Sequence, residues 1–175
     1  NSPICNSINY PANWSNLGPG VTPSLDNVIG RVNCVAFDPV NPNIYYAGTG
    51  NSGLWRTING GVSWTCLTEP LRLPGLGIQA MSINLNSITG NKDIYIATGI
   101  VSLANYGIGI LKSIDGGNTW QTTGITYDPI TNPNSYVAFS VKIDPTNPNT
   151  VYAGVSDKLY KTVDGGVTWQ TVFTL

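Results

Sequence analysis

Between residues 137 and 143 the chain reads Val-Ala-Phe-Ser-Val-Lys-Ile, so Val137, Phe139, Val141 and Ile143 alternate with Ala138, Ser140 and Lys142. A period of two predicts a strand with unlike faces, the odd-numbered side chains forming the apolar one. Asp144-Pro145 and Asn147-Pro148 interrupt it, because proline has no N–H to give a central ladder and fixes φ at a turn-like value. A second strand, Thr-Val-Tyr-Ala-Gly, begins at Thr150. A short third one follows at Lys158, then an Asp-Gly-Gly corner, then a fourth, Val-Thr-Trp-Gln-Thr-Val, from Val167. Four strands joined by tight turns predict an antiparallel meander.

The same pattern recurs. "LWRTINGGVSW" from Leu54, "ILKSIDGGNTW" from Ile110 and "LYKTVDGGVTW" from Leu159 align without gaps, and every column but one keeps its chemistry. Upstream, "FDPVNPNIYYAGTG" from Phe37 matches "IDPTNPNTVYAGVS" from Ile143, with a looser copy from Ile83. The copies divide the chain into blade 1 at residues 29–68, blade 2 at 76–124 and blade 3 at 134–175, preceded by an N-terminal segment, 1–28, in which Trp14 is a candidate for a ring-closing strand. A lone four-stranded sheet cannot cover both its faces, so repeated sheets must stack. Repeats of this size stack radially as propeller blades. The expected fold class is therefore all-β, a partial β-propeller of about three four-stranded antiparallel blades. A β-sandwich is the competing arrangement, and it leaves the recurrence of the corners unexplained.

At the corner the glycines supply positive φ at little steric cost. The preceding acid has a separate role, since a short carboxylate accepts hydrogen bonds from the backbone N–H groups that follow it, and Asn59 does this through its amide oxygen. The terminal Trp is expected to bury its ring against the adjacent blade. Asp115 and Asp164 can be read instead as a catalytic carboxylate pair, but equivalent positions on a radial array are too far apart to share one bond across the ~5–10 Å that glycoside cleavage needs.

Composition narrows the partners. Charged residues make up 10% of the chain, against about 25% usually, and the net charge is -1 with no Lys/Arg cluster. That excludes the electrostatic footprint of a nucleic-acid binder. No apolar run is long enough to span a membrane. There is no histidine, so neither a Ser-His-Asp nor a Cys-His arrangement is available. Cys5, Cys34 and Cys66 lack metal-site spacing, so no metal or cofactor is expected; they read as one disulfide plus a buried thiol, or as three thiols. Asn13-Trp14-Ser15 matches a glycosylation triplet, and the absence of an initiator Met fits a cleaved precursor or an excised piece.

These corners resemble the Asp-box, or BNR repeat, Ser/Thr-x-Asp-x-Gly-x-Thr-Trp. Ser113, Asp115, Gly117, Thr119 and Trp120 match it in full, as do Thr162, Asp164, Gly166, Thr168 and Trp169; Thr57, Asn59, Gly61, Ser63 and Trp64 match it with two conservative changes. The resemblance implies propeller blades with a structural role for the motif, as in sialidases, xyloglucanases, sortilin-like receptors and photosystem II assembly factors. The longer pattern is most similar to sortilin-like and xyloglucanase-like repeats, and "NWSNLGPG" from Asn13 resembles the start of secreted Bacteroidetes proteins. Such families close rings of more blades than three. This chain is thus expected to be a fragment of a larger ring, or to have its open ends covered by further blades, another subunit or self-association.

A xyloglucanase-like enzyme carries an aspartate in its first blade where "YAGTGNSGLWR" aligns Gly50, and the sialidase arginine triad would have to come from Arg31, Arg56 and Arg72. Arg56 aligns with Lys112 and Lys161 and reads as a solvated strand residue. The favoured function is a secreted or cell-surface module that binds protein or glycan through its irregular loops, with Arg72, Tyr106, Tyr127 and Tyr136 as candidate contacts. The alternative is the N-terminal part of a xyloglucanase-like glycoside hydrolase whose catalytic carboxylates lie outside these residues.

Overall fold

A computed structural model describes residues 31–71, 76–99, 107–127 and 137–175. Three four-stranded antiparallel meanders account for the strands. The first contains β1 (Val32–Phe37), β2 (Tyr45–Thr49), β3 (Leu54–Thr57) and β4 (Thr65–Cys66); the second β5 (Ile78–Leu85), β6 (Lys92–Thr98), β7 (Gly109–Ser113) and β8 (Gln121–Thr126); the third β9 (Ala138–Asp144), β10 (Asn147–Val155), β11 (Lys158–Thr162) and β12 (Gln170–Thr174). A 3-10 turn, Glu69–Leu71, follows β4. In each sheet the strands lie side by side in chain order. First strands adjoin one another, β1 beside β5 and β5 beside β9, so the sheets fan out from a shared inner edge.

Two apolar layers hold the fan together. Between the first and second sheets lie Tyr46, Leu54, Leu67, Ile78, Ile94 and Ile96, with Trp120 packed against them. Tyr95, Ile110, Val141, Val151 and Val155 fill the space between the second and third, with Trp169 at its margin. A middle sheet covered on both faces should show long apolar runs rather than alternation, and β6 is buried at six successive positions, Asp93 to Thr98.

The simple alternation expected at 137–143 is broken by a β-bulge. Ala138 pairs with Val155 but Ser140 with Gly154, so Phe139 is the extra residue. Ala138 therefore turns into the core while Phe139 is 44% exposed. Equivalent irregularities fall between Val32 and Cys34 and between Ile78 and Ala80. A bulge increases local twist and bends the strand, and it recurs at the start of every first strand. Asn33, the bulged residue of β1, donates through Nδ2 to the Ile78 carbonyl at 2.9 Å, linking one bulge to the next. The second strand of the third sheet also starts earlier than Thr150. Pro148 sits within β10, in the irregular stretch between the Asn147–Asp144 and Val151–Ile143 pairs, where its missing N–H breaks no regular ladder.

Close approach at the first junction has a checkable consequence. A Cβ on Gly48 would lie 2.5 Å from Cys34 Sγ and 2.7 Å from Ile78 Cγ2. At the equivalent Gly154 it would meet only the rotatable Ser140 side chain, with Oγ at 2.6 Å. Gly48→Ala is expected to cost about 1–3 kcal/mol in urea denaturation and Gly154→Ala clearly less; equal losses would contradict this account of the packing.

Candidate functional site

The three Asn/Asp-Gly-Gly corners build closed hydrogen-bond clusters from local residues. In the second sheet Gly116 and Gly117 have φ of 72° and 92°, the left-handed region that a Cβ disfavours. This curl directs N–H groups inward. Gly117 N–H donates to Ser113 Oγ at 2.8 Å, Ser113 Oγ to Asp115 Oδ1 at 2.8 Å, and the amides of Asn118 and Thr119 to the same oxygen at 2.9 Å each. Thr119 Oγ1 donates to Asp115 Oδ2 at 2.7 Å. In the third sheet Asp164 accepts from Thr162 Oγ1 at 2.6 Å and from the Thr168 amide and hydroxyl, while the Gly166 amide donates to Thr162 Oγ1 at 3.0 Å. Asn59 reproduces the geometry with one reversal: its Oδ1 accepts from Thr57 Oγ1 and from the Ser63 amide, but its Nδ2 donates to the Ser63 hydroxyl at 2.9 Å.

The carboxylates are thereby committed. Desolvation would raise the Asp115 carboxyl, yet the donors Thr119, Ser113 and Asn118 outweigh it and hold the group below its ordinary range. At Asp164 the hydroxyls of Thr162 and Thr168 and the Thr168 amide depress the carboxyl further. Both are ionised at neutral pH, with their lone pairs directed at their own hairpin, so neither is poised to give or take a substrate proton.

The corners of the second and third sheets are also gripped by the sheet before each. The Gly116 carbonyl accepts from Tyr46 Oη at 3.3 Å and Arg56 Nη1 at 3.1 Å; the Gly165 carbonyl accepts from Tyr95 Oη at 2.8 Å and Lys112 Nζ at 3.0 Å. Lys112 Nζ stands 5.3 Å from the Tyr95 ring centroid, close enough for a cation–π contact. Trp120 Nε1 reaches back to the Leu67 carbonyl at 3.3 Å, and Lys92 pairs with Asp38 across the same junction. Arg56 and Lys112 are thus not solvated strand residues: they donate to the neighbouring sheet. The signal was present in the alignment, where a basic column and a Tyr column, Tyr46, Tyr95 and Tyr152, recur together.

Of the candidate contact residues, Tyr127 packs partly buried beside the second apolar layer, in a shallow cleft with Val155, Ser156, Asp157, Lys158 and Tyr160. Ser156 opens that hairpin at φ 53°. Arg72, Tyr106 and Tyr136 lie outside the described residues, as do Cys5, Trp14 and the 1–28 segment. Gly50 is buried between β2 and β3 and donates its amide to the Arg31 carbonyl at 2.9 Å. Cys34 and Cys66 are free thiols, and burial pushes Cys34 up to about 11. Among the described residues no three His, Cys, Asp or Glu side chains gather as a metal site, and no helix is long and apolar enough to cross a membrane.

No protein-family model matches the chain, and no curated protein does. Solved structures do. An ancestral GH74 enzyme superposes with a TM-score of 0.61 and 29% identity over 81% of this chain, and the GH74 enzyme of Niastella koreensis with 0.58 and 27% over 78%. YCF48 bound to D1 peptide gives 0.58 at 19% identity over 82%. The chain is a sector of a β-propeller. Its three described sheets are blades, numbered 1 to 3 in chain order, and the chain spans 18% and 20% of the two GH74 chains and 40% of the YCF48 chain.

Two outcomes follow from the corner chemistry. Asp115→Ala should lower stability by about 1 kcal/mol or somewhat more, whereas Asp115→Asn should lose less, since Asn59 performs the same closure in blade 1; equal melting of both variants would argue against the hydrogen-bond role. Carboxyls depressed by folding contribute stability that is present above their unfolded value and lost as pH falls through the folded one. Thermal stability should therefore decline below about pH 4, and less steeply in an Asp115→Asn/Asp164→Asn double variant; an unchanged acid slope in that variant would refute the linkage.

Proposed function

We propose that this propeller sector belongs to a secreted or cell-surface protein and acts in binding or assembly, contacting protein or glycan through the loops between its strands, with the Asp-box corners as scaffold. The supporting observation is the closure of the Asp115 and Asp164 carboxylates onto their own hairpins. Groups filled by local donors and held ionised stabilise the blade and are unsuited to chemistry on a bound molecule. On this reading Arg72, Tyr106, Tyr127 and Tyr136 supply the contacts, the tyrosines offering rigid amphipathic rings for stacking or hydrogen bonding.

A second reading is favoured by the likeness to GH74 enzymes: the sector would be part of a xyloglucanase-like hydrolase whose carboxylates lie beyond these residues. Gly50 at the position of the first-blade aspartate weighs against it, because a backbone amide committed to Arg31 cannot replace a general acid or base.

Xyloglucan and its oligosaccharides discriminate the readings. The expected result is saturable binding, measured by tryptophan fluorescence or calorimetry, without reducing-sugar release; Tyr127→Ala or Tyr136→Ala weakens it several-fold, and Asp115→Asn leaves it unchanged. Sugar release abolished by a single carboxylate substitution would establish the hydrolase instead, and the absence of binding to any glycan or peptide in an array would remove the module reading.

A further inference from the structure

Position 59 is where the three corners differ in reactivity. Blades 2 and 3 place Asp before the glycine pair and blade 1 places Asn, so Asn59-Gly60 is the chain's one Asn-Gly step. At such a step the glycine nitrogen, unhindered by a β-carbon on its own residue, can attack the side-chain amide carbon that precedes it and close a succinimide ring. An ionised carboxylate resists the same attack, because its carbon is electron-rich and holds no ready leaving group. Asp115 and Asp164, kept ionised by their donors, are therefore resistant on this route. The Asn59 carboxamide stays electrophilic.

Both reacting groups are engaged while the corner is closed. The Gly60 N–H donates to the Asn43 carbonyl at 3.0 Å. That carbonyl belongs to a turn that is itself fixed, since Asp38 Oδ1 accepts the Val40 and Asn41 amides and Asn41 Oδ1 accepts the Asn43 amide. On the side-chain half, Asn59 Oδ1 accepts from Thr57 Oγ1 at 3.0 Å and from the Ser63 amide at 2.9 Å, and Nδ2 donates to Ser63 Oγ at 2.9 Å. The proton that must leave the nitrogen is held by a carbonyl unable to take it, and the carboxamide is tied down at both its ends. The amide-to-turn bond recurs at the other corners, from Gly116 to the Lys92 carbonyl at 3.1 Å and from Gly165 to the Asn149 carbonyl at 2.9 Å. Asn59, Asp115 and Asp164 are all exposed, the last two in corners that a neighbouring blade grips. Water thus reaches this position in every blade, and the shield at Asn59 is hydrogen bonding rather than burial.

We propose that Asn59 is a modification site, protected from deamidation while the blade 1 corner is closed and converted when that corner opens. On opening, hydroxide takes the Gly60 amide proton and the nitrogen bonds to Asn59 Cγ; the Cγ–Nδ2 bond breaks, and the departing nitrogen takes a proton from water to leave as ammonia, regenerating hydroxide. Water then opens the ring at one of two bonds. Cleavage between Cγ and the Gly60 nitrogen leaves aspartate at position 59; cleavage between the residue 59 backbone carbonyl carbon and the same nitrogen leaves isoaspartate, with the main chain running through Cβ and Cγ. The two products have opposite consequences. Aspartate brings the pair of acceptor oxygens that Asp115 and Asp164 use, and so completes the corner. Isoaspartate lengthens the backbone and moves the carboxylate onto Cα, away from the Thr57 and Ser63 donors, so the corner cannot re-form. Conversion therefore records an opening of blade 1 and, through isoaspartate, makes it permanent. It is independent of what the loops bind.

Peptide mapping by mass spectrometry tests it on the whole 175-residue chain, incubated at mildly alkaline pH with and without urea and then digested with trypsin. The fragment Thr57–Arg72 contains the site, and a synthetic peptide of that sequence is the unprotected reference. Conversion in the folded chain is expected to be slower than in the peptide by about tenfold or more, the factor being set by how rarely the corner opens, and urea should restore the peptide's rate with isoaspartate among the products. Ser63→Ala removes one tether and should speed conversion several-fold in the folded chain but not in urea; Ser63→Thr, the residue blades 2 and 3 use, should keep it slow. Both are expected to retain the parent's circular-dichroism spectrum, because Ser63 is exposed. Asn59→Asp, which supplies the aspartate product directly, should melt at or above the parent's temperature at neutral pH. A folded chain that converts as fast as the peptide overturns the proposal, as does a urea-unfolded chain that leaves Asn59 intact. A folded Ser63→Ala variant as slow as the parent, or an Asn59→Asp variant that melts below it, equally overturns the assignment of these bonds as the shield or of aspartate as the completing product.

Discussion

A glycine carbonyl facing the neighbouring blade is the point on which the stacking depends. The corner can present it only because two successive residues take positive φ, and a buried carbonyl so presented must find donors. Tyr46 and Arg56 at one junction, Tyr95 and Lys112 at the other, supply them from within otherwise apolar layers. The tyrosines are exposed by only 1% and 0%, and each hydroxyl requires an acceptor at that depth. Donor and acceptor therefore justify each other's burial: removing one strands the other, at about 1–3 kcal/mol. Hydrophobic contact makes the junction favourable, and this polar clasp fixes the register in which the sheets meet.

Much of the fold was legible because its determinants are local. Strand alternation, the Asp-Pro break and the Asp-Gly-Gly corner are each written within a few residues, and their recurrence revealed stacked units before any long-range contact was known. What stayed hidden involves partners distant in sequence. The bulge at Phe139 inserts one residue and inverts the inward set, and nothing in the sequence from Val137 to Ile143 marks which residue is extra. The basic column read as solvated because charged residues usually are. Its partner is a backbone carbonyl roughly half a hundred residues away, and a carbonyl has no sequence signature.

Function was less legible for a related reason. The corner spends its carboxylate on structure: Asp164 receives two hydroxyls and an amide, which both lowers its proton affinity and occupies its lone pairs. A motif that stands out in the sequence need not, then, be where the chemistry is. The loops between the blades obey no repeat, and single-copy segments offer no internal comparison from which a role can be inferred. Among the described candidates, Tyr127 illustrates the ambiguity: the ring that lines the cleft beside Asp157 and Lys158 also packs against the core between blades 2 and 3.

A stack whose units touch only their neighbours has a stability that is approximately the sum of unit and interface contributions. Among the described residues blade 2 has an apolar layer on both faces, and blades 1 and 3 have one each. The same alignment column consequently holds side chains in different environments: Ile83 and Ile143 are sheltered while Phe37 is 64% exposed. A sequence shaped for an exposed end would replace such positions with charge, as capping repeats do. Here Val35, Phe37, Tyr45 and Trp64 remain apolar or aromatic at one end, and Leu159 and Val172 at the other, beside a Tyr–Lys pair set at the spacing used inside. Each blade thus keeps the side chains of an interface whether or not another described blade lies against them.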